Sequence, residues 1–294
     1  TMSGALKEVR NRIKSVQSTQ QITKAMKMVS AAKLRRAQDA ITQMRPYAHK
    51  LQEMLSNIVS NSDGDVSMAL AAERPVENVM IIVVTSDRGL CGGYNSNLIK
   101  LAKQVIAEKY PQQHAKGKVQ ILPIGKKGYE NFTKLGYKVV NQYWDIFTGL
   151  NFEKVQAAAK HAMDAFANKE IDAVELVFSE FKNAATQRFV AESFLPVQKV
   201  AKAEGQKNAD FIFEPGKDVL IAELMPKILN TQLFKATLDA NASEHGARMT
   251  AMDKASDNAN ELLKSLKISY NRARQAAITT ELTEIVSGAA ALQG

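Results

Sequence analysis

The sequence predicts a mixed α+β and α/β fold, in which long N- and C-terminal helices form an antiparallel coiled coil and a small α/β domain is inserted between them. Three observations support this fold class. Only 7 of the 294 residues are proline and 6% are aromatic, a composition typical of long helices. Both ends of the chain carry heptad-like apolar stripes. The middle alternates β-branched apolar runs with helical segments.

The first segment, residues 1–62, predicts one long helix of a coiled coil. Its apolar residues recur at alternating spacings of three and four. These residues are Leu6, Val9, Ile13, Val16, Leu34, Ala37, Ile41, Met44, Ala48, Leu51, Leu55 and Ile58. Between the two runs the same register would fall on Gln20, Thr23, Lys27 and Ser30, whereas Ile22, Met26 and Val29 lie off it. The pattern therefore predicts that the stripe slips there, as at a stutter.

The middle segment, residues 76–210, predicts an inserted Rossmann-like α/β domain. Its strands and helices alternate in the order βαβαβαββ. The predicted strands are 79–85, 119–124, 137–140 (an edge strand), 173–178 and 188–194, and the predicted helices are 95–110, 126–135 and 152–166. The strand at 79–85 is a continuous apolar run, which is typical of a parallel strand covered on both faces.

The last segment, residues 211–294, predicts the second coiled-coil helix, because no proline follows Pro226 and the apolar residues again form a stripe. Its seam consists of Met249, Met252, Ala259, Leu262, Leu266, Tyr270, Ala273, Ala277, Ile278, Leu282, Ile285 and Ala289. Two helices of roughly 80–90 Å exceed the diameter of a domain and must pack against something. The economical arrangement pairs them with each other.

Charge and cysteine content limit the class of protein. The net charge is +9, and residues 1–60 hold 11 basic but only 3 acidic side chains, which implies an acidic partner or surface there. Cys91 is the single cysteine, so no internal disulfide forms and a reducing compartment is expected. The N-terminus leads into charged helical sequence without an apolar signal core, and no apolar run approaches the ~20 residues that span a bilayer.

The residues give little sign of catalysis. The loop Ser86–Gly93 is glycine-rich but has neither the spacing GxGxxG nor GxxxxGK, so its glycines are better explained by a tight turn than by a phosphate site. The four histidines form no i, i+4 pair, and Cys91 has no local base. We therefore expect no cofactor and no metal.

Two alternatives remain open from composition alone. The basic N-terminal helix could bind the phosphates of a nucleic acid, although it has no interleaved aromatic residues. The α/β domain alone could be an enzyme, which nucleotide binding by residues 76–210 would test. Binding to nucleic acid would fall steeply with salt.

Four motifs carry a resemblance over the whole chain. They are the segments Gln21–Lys33, Ser86–Gly93 and Ser243–Met252, and the tail from Tyr270–Gln275 through Glu281–Ala289. Together, in this order and with this kind of middle domain, they resemble the gamma subunit of F-type ATP synthases.

The resemblance implies a noncatalytic rotor shaft. Such a shaft couples the ion-driven rotation of the membrane c ring to sequential changes at the catalytic beta subunits, and it also regulates ATPase activity and proton flow. The implied partners are the alpha, beta and epsilon subunits and the c ring, in a hetero-oligomer with one copy of this chain and without nucleic acid. Membrane association would be indirect, at the cytoplasmic face of a bacterial inner membrane; the lack of a transit peptide favours this over the mitochondrial matrix.

The resemblance also implies contact residues. Those facing the beta subunit would be Met26, Lys24, Lys27, Arg248, Gln275, Thr279, Glu281 and Glu284. An apolar bearing tip would contain Ile285, Val286, Ala289 and Leu292. The loop of the α/β domain would contribute Arg88, Cys91 and Gly92, and the foot against the c ring and epsilon would contain Phe211, Phe213 and Glu214.

Overall fold

The computed structural model describes residues 2–60, 69–197 and 217–294. Two long helices flank a segment of alternating strands and shorter helices, which confirms the predicted fold class. The elements are α1 (Met2–Ser60), β1 (Val79–Val84), α2 (Tyr94–Lys109), α3 (Pro111–Ala115), β2 (Val119–Ile124), α4 (Lys126–Lys134), β3 (Lys138–Val139), α5 (Phe152–Ala167), β4 (Ala173–Phe181), β5 (Gln187–Leu195) and α6 (Lys217–Gln293).

The residues group into two compact units. The coiled-coil unit consists of Thr1–Ser30 and Met249–Gly294, and the α/β unit consists of Ala31–Arg248. Each long helix therefore contributes one portion to each unit. The division predicted from the sequence, into residues 1–62, 76–210 and 211–294, follows the order of elements along the chain and stays a prediction.

The α/β unit is built on one five-stranded sheet in the order β3-β2-β1-β4-β5. The first four strands in chain order are parallel, and β5 runs antiparallel to β4. The central strand β1 pairs Val79 with Val119 of β2 and with Ala173 of β4. All six residues of β1 are buried, as expected for an apolar run that is covered on both faces.

Alternate residues of β1 enter two separate cores, because successive side chains in a strand point to opposite faces. Met80, Ile82 and Val84 pack with residues of α5 and α6. On the other face, Val79, Ile81 and Val83 pack with residues of α2 and with Phe132 of α4. Helices on both faces thus bury the sheet and fix the position of the loops that follow its strands.

Local sequence sets where two of these helices begin. The Asn151 side chain accepts a hydrogen bond from the backbone N–H of Lys154 at 2.9 Å and so caps the start of α5. Gly125 precedes α4 with φ 104°, and a Cβ there would lie 2.5 Å from the carbonyl oxygen of Thr85. Glycine is required at that position because no other residue tolerates both the dihedral angle and the contact.

The coiled-coil unit pairs the start of α1 with the last part of α6. Residue numbers rise along one helix as they fall along the other, so the helices are antiparallel, as predicted. The side-chain pairs are Arg10–Tyr270 at 3.1 Å, Thr23–Ser256 at 2.7 Å and Lys27–Asp253 at 2.6 Å.

The predicted slip of the α1 stripe is wrong. Thr23 and Ser30 keep the register and are buried, while Ile22 and Val29 are 57% and 54% exposed. Burial of a hydroxyl is tolerated where it has a hydrogen-bond partner, and Thr23 has one in Ser256. The seam therefore includes the polar residues Thr23 and Ser30 beside apolar ones, and the apolar residues Ile22 and Val29 lie outside it.

Five predicted seam positions of α6 are exposed, namely Leu262, Ile278, Leu282, Ile285 and Ala289. Leu262 is 41% exposed, whereas the neighbouring Leu263 is 6% exposed and lies in the seam with Ala259 and Leu266. The observed spacing of four and then three is regular, and the sequence concealed it because two leucines stand side by side.

Candidate partner-contact surfaces

Large apolar side chains lie on the outside of the coiled-coil unit. On α1 they include Met28, which is 74% exposed, together with Ile22 and Val29. On α6 the exposed set is Leu262, Ile268, Ile278, Leu282, Ile285, Val286 and Leu292. Scattered apolar residues are normal on a surface, but a concentration of this kind indicates contact with another protein.

The predicted contact at Met26 lies beside this exposed set. Met26 is half-buried and Lys24 is exposed. Lys27 forms an ion pair with Asp253 at 2.6 Å, with 42% and 56% of the two side chains exposed. A pair so open to solvent contributes no more than about 1 kcal/mol, so it can exchange for another acidic partner at small cost.

The predicted polar contacts near the C-terminus lie on the surface of α6. Gln275, Thr279, Glu281 and Glu284 are all exposed. The Thr279 hydroxyl donates to the carbonyl of Gln275 at 2.9 Å, one helical turn earlier. That local bond leaves the hydroxyl oxygen available as an acceptor.

The predicted bearing tip is exposed along its whole length. Ile285 is 67% exposed, Val286 is 66% and Leu292 is 90%, and Ala289 lies between them on the surface. Roughly 25 cal/mol of free energy is available for each Å² of apolar surface that a partner covers. The end of α6 therefore has the chemistry of an apolar contact surface.

The loop Ser86–Gly93 connects β1 to α2 at the carboxyl end of the central strand. The Ser86 hydroxyl donates to the carbonyl of Arg88 at 2.6 Å, and the backbone N–H of Ser86 donates to Oδ1 of Asn95 at 2.9 Å. Among the predicted loop residues, Arg88 and Gly92 are exposed, whereas Cys91 is 2% exposed. Burial raises the pKa of the Cys91 thiol, which makes it a weak nucleophile.

Leu90 is the unusual residue of this loop. Its φ is 63°, in the left-handed region that large side chains rarely adopt, and its side chain is 67% exposed. Leu90 was not among the residues predicted from the sequence, because nothing in the sequence alone indicates a positive φ at a leucine.

Arg248 differs from the other predicted contacts because it is buried, with 8% of the residue exposed. Its Nη1 donates to Oε1 of Glu244 at 3.1 Å. Its Nη2 donates to the carbonyl oxygens of Arg88 and Gly89 at 3.4 and 3.3 Å. The structure thus brings Arg248 together with the Ser86–Gly93 loop, and direct contact of Arg248 with a beta subunit stays a prediction.

The electrostatics of this cluster follow from burial. Burial raises the pKa of Glu244, and Arg248 opposes the shift. Burial, with the positive charges of Arg248 and Lys33 beside it, lowers the pKa of His245 to about 4, so the imidazole is neutral at physiological pH. Glu244 was not predicted as a site residue, although its i, i+4 spacing from Arg248 is a recognisable signal.

The predicted foot residues Phe211, Phe213 and Glu214 lie outside the described residues. Within the described ranges 2–60, 69–197 and 217–294, no three His, Cys, Asp or Glu side chains are grouped so that they could hold a metal ion. Over the same part of the chain, no helix is both long and apolar enough to span a bilayer.

Comparison with known proteins shows the family to which the chain is similar. A family model described as ATP synthase matches residues 5–292. The ATP synthase gamma chain of Cytophaga hutchinsonii is 51% identical over 291 residues, which cover 98% of this chain and 99% of that protein. The gamma chain of Chlorobaculum tepidum is 49% identical over 288 residues, with the same coverage of each chain.

Solved structures show the same fold at lower identity. A chain of the Euglena gracilis mitochondrial ATP synthase matches with a TM-score of 0.67 and 21% identity, covering 99% of this chain and 95% of that chain. A chain from the central stalk and c ring of the Tetrahymena thermophila mitochondrial ATP synthase matches with a TM-score of 0.55 and 23% identity, covering 80% of this chain and 99% of that one. From the family model and the near full-length identity to curated relatives, the chain belongs to the ATP synthase gamma-chain family.

Proposed function

We propose that the coiled-coil unit turns inside a ring of alpha and beta subunits, with the end of α6 as its apolar bearing. As a gamma-family member the chain is the rotor shaft of an F-type ATP synthase and has no catalytic site of its own. The observation that supports the bearing is the exposure of Ile285, Val286 and Leu292 at 67%, 66% and 90%. The nucleic-acid alternative receives no support from the relatives.

An apolar bearing suits rotation for a physical reason. Apolar attraction has no preferred direction and is nearly the same at each angle, whereas a fixed hydrogen bond must break whenever the shaft turns. Polar contacts should therefore be few and exchangeable. Lys27 fits this requirement, because its exposed ion pair with Asp253 is weak.

The proposed contacts with the beta subunit are made by side chains from both helices of the coiled-coil unit. On α1, Met26 would face an acidic loop of beta, with Lys24 and Lys27 complementing its charge. On α6, Gln275, Thr279, Glu281 and Glu284 present polar groups on the exposed surface, where a turning shaft can exchange partners.

The remaining proposed contacts are on the membrane side, with the c ring and the epsilon subunit. We place the foot, with Phe211, Phe213 and Glu214, against the c ring and epsilon by resemblance. The chain is a peripheral subunit, and we propose the cytoplasmic face of a bacterial inner membrane as its location, with one copy in each complex.

The experiment that tests the contact at Met26 adds a charge there. In a complex reconstituted with alpha and beta subunits and the membrane sector, Met26→Lys should lower proton pumping more than ATP hydrolysis. The new ammonium would bind the acidic loop too well at some angles and raise the barrier to rotation. The control is Met54→Lys, which adds the same charge to α1 at a residue 40% exposed in the α/β unit. Equal loss of pumping and hydrolysis in Met26→Lys would contradict the proposed contact.

A further inference from the structure

We propose that a cavity of the α/β unit, bounded by α1, β4, β5 and α6, binds a small primary amine with an apolar body, whose ammonium group pairs with the carboxylate of Asp239. The cavity has a volume of about 1000 Å³. Ligand pockets in proteins typically have volumes of about 300–1,000 Å³, so this one has room for a small organic molecule. The proposal concerns the free chain and does not depend on the proposed rotor function.

Apolar side chains from all four elements form much of the cavity wall. Such a wall covers the apolar part of a ligand, and phenylalanine rings also attract a cation through their faces. The apolar residues are buried, except for the half-buried Phe181, and they are Ile41, Leu51, Phe178, Phe181, Phe194 and Ile228.

Asp239 lines this cavity from α6 and supplies a buried acidic group without a partner. Only 7% of the residue is exposed. In the part of the chain that the structure describes, its carboxylate forms no hydrogen bond and no ion pair, and Lys235 and Arg45 act on it only at longer range. A buried charge without a partner is costly, so a ligand ammonium that reached Asp239 would gain a strong electrostatic attraction.

The other two carboxylates of the cavity already have partners. Oε1 of Glu192 accepts a hydrogen bond from Nε2 of Gln232 at 3.2 Å. Glu180 forms ion pairs with Lys182 at 3.3 Å and with Arg188 at 3.8 Å. Within the described ranges, no three acidic, histidine or cysteine side chains are placed to hold a metal ion. One free carboxylate beside an apolar wall therefore suits a single organic ammonium group.

Binding of an ammonium group to Asp239 should depend on pH, because only the ionised carboxylate attracts it. Burial raises the pKa of Asp239 to about 6. Roughly one carboxylate in eleven is then ionised at pH 5 and nearly all are ionised at about pH 7.5, so the affinity should fall roughly tenfold between the two. The other charged or titratable groups that act on Asp239 or line the cavity are Arg45 and His49 of α1, Glu180 of β4, Glu192 of β5 and Lys235 of α6.

Calorimetric titration of the full-length chain with 2-phenylethylammonium tests the proposal. At about pH 7.5 we expect one saturable site, and 2-phenylethanol, which has the same body without the charge, should bind at least roughly tenfold more weakly. Asp239→Asn should lower the affinity for the amine by roughly tenfold and remove most of its dependence on pH. His49 is present in both proteins, so its own titration cancels in the comparison.

The matched control is Asp164→Asn on α5, which should leave the affinity for the amine unchanged. Its carboxylate is 56% exposed, pairs with Lys160 at 2.7 Å and lies outside the cavity. A second variant, Ala48→Phe, fills part of the cavity from α1 without altering Asp239, and it should also lower the affinity by roughly tenfold.

Three results would overturn the proposal: no saturable binding of the amine to the wild-type chain, equal affinity for the amine and the alcohol, or equal affinity of wild type and Asp239→Asn for the amine. If Asp239→Asn does not fold, Ala48→Phe decides, and an unchanged affinity in that variant overturns the proposal. Because the titration uses the free chain, its outcome is distinguishable from a failure of the proposed rotor contacts.

Discussion

Asp239 on α6 is a buried carboxylate within the α/β unit, with 7% of the residue exposed. Burial raises its pKa to about 6; Lys235 and Arg45 oppose the shift, and Glu180 and Glu192 add to it. The folded chain therefore binds a proton that the unfolded chain has already released between about pH 4 and pH 6. Over that range this residue lowers the free energy of unfolding as the pH rises.

Asp239→Asn should remove this dependence, because asparagine has the same shape without the charge. We expect the variant to gain about 2 kcal/mol of unfolding free energy relative to wild type on going from pH 4 to pH 8. Urea unfolding at both pH values measures it. The quantity to compare is the difference in unfolding free energy between variant and wild type at each pH. This subtraction is needed because the lowered pKa of His245 gives both proteins the opposite pH dependence, with stability lost as the pH falls from about 6.5 to 4. A difference in unfolding free energy between variant and wild type that is the same at both pH values would contradict the raised pKa of Asp239.

The exposure of the α6 residues was easier to predict from the sequence than the buried cluster was. The polar residues of α6 that the resemblance implied as contacts are exposed, and their contact with a partner stays a prediction. The positions of Arg248 and Leu90 depend on how α6 and the β1–α2 loop come together in the fold. The pairing of Glu244 with Arg248 is local, at i, i+4, and could have been read from the sequence. The contact of Arg248 with Arg88 spans 160 residues and could not be read from the sequence.

At the scale of elements, the α6 seam offers a test with two adjacent leucines. Leu263→Ala removes a side chain that is 6% exposed and should cost about 2 kcal/mol of unfolding free energy, through lost burial and a residual cavity. Leu262→Ala is the matched control, since that leucine is 41% exposed and should cost well under about 1 kcal/mol. Urea denaturation of the two variants compares them; equal losses would mean that the seam does not run through Leu263.

Close packing of α6 against the turn between β4 and β5 gives a further prediction. A Cβ at Gly246 would lie 2.8 Å from the carbonyl oxygen of Ala184, so Gly246→Ala must displace backbone. In an open helix this change would stabilise by up to about 1 kcal/mol. Here we expect a net loss of about 1–2 kcal/mol in thermal or urea unfolding. The control is Gly288→Ala, where a Cβ would meet nothing within 4 Å. Stabilisation by both changes would contradict the observed contact.

The elements themselves were largely predictable, for reasons that differ between them. All five strands were predicted. The continuous apolar runs of β1 and β4 reflect burial on both faces of the sheet, whereas the edge strands β3 and β5 are only partly buried. The single turn α3 was not predicted, since a five-residue helix has too few residues for a periodic signal. The register of α1 was mispredicted because Ile22 and Val29 are apolar although they are exposed. A search for one buried apolar stripe assigns such residues to the seam.

On the scale of the whole molecule, the two units differ in how their side chains are packed. The α/β unit has two cores on either side of its sheet, and such packing makes a stiff body. The coiled-coil unit buries both hydroxyl groups and apolar side chains in its seam, and it exposes several large apolar side chains among charged ones. Those exposed apolar side chains are what the proposed position of the helix pair inside a ring of other subunits would cover.

Direct observation of rotation is the measurement that tests this account most directly. Because Cys91 is buried, a bead needs a new attachment point, and Ala107→Cys supplies one on the exposed face of α2. With the beta subunits of a reconstituted complex fixed to glass, ATP hydrolysis should turn the bead in steps and in one direction. A complex that hydrolyses ATP while the bead stays still would contradict the account, because the chain would then be a static scaffold.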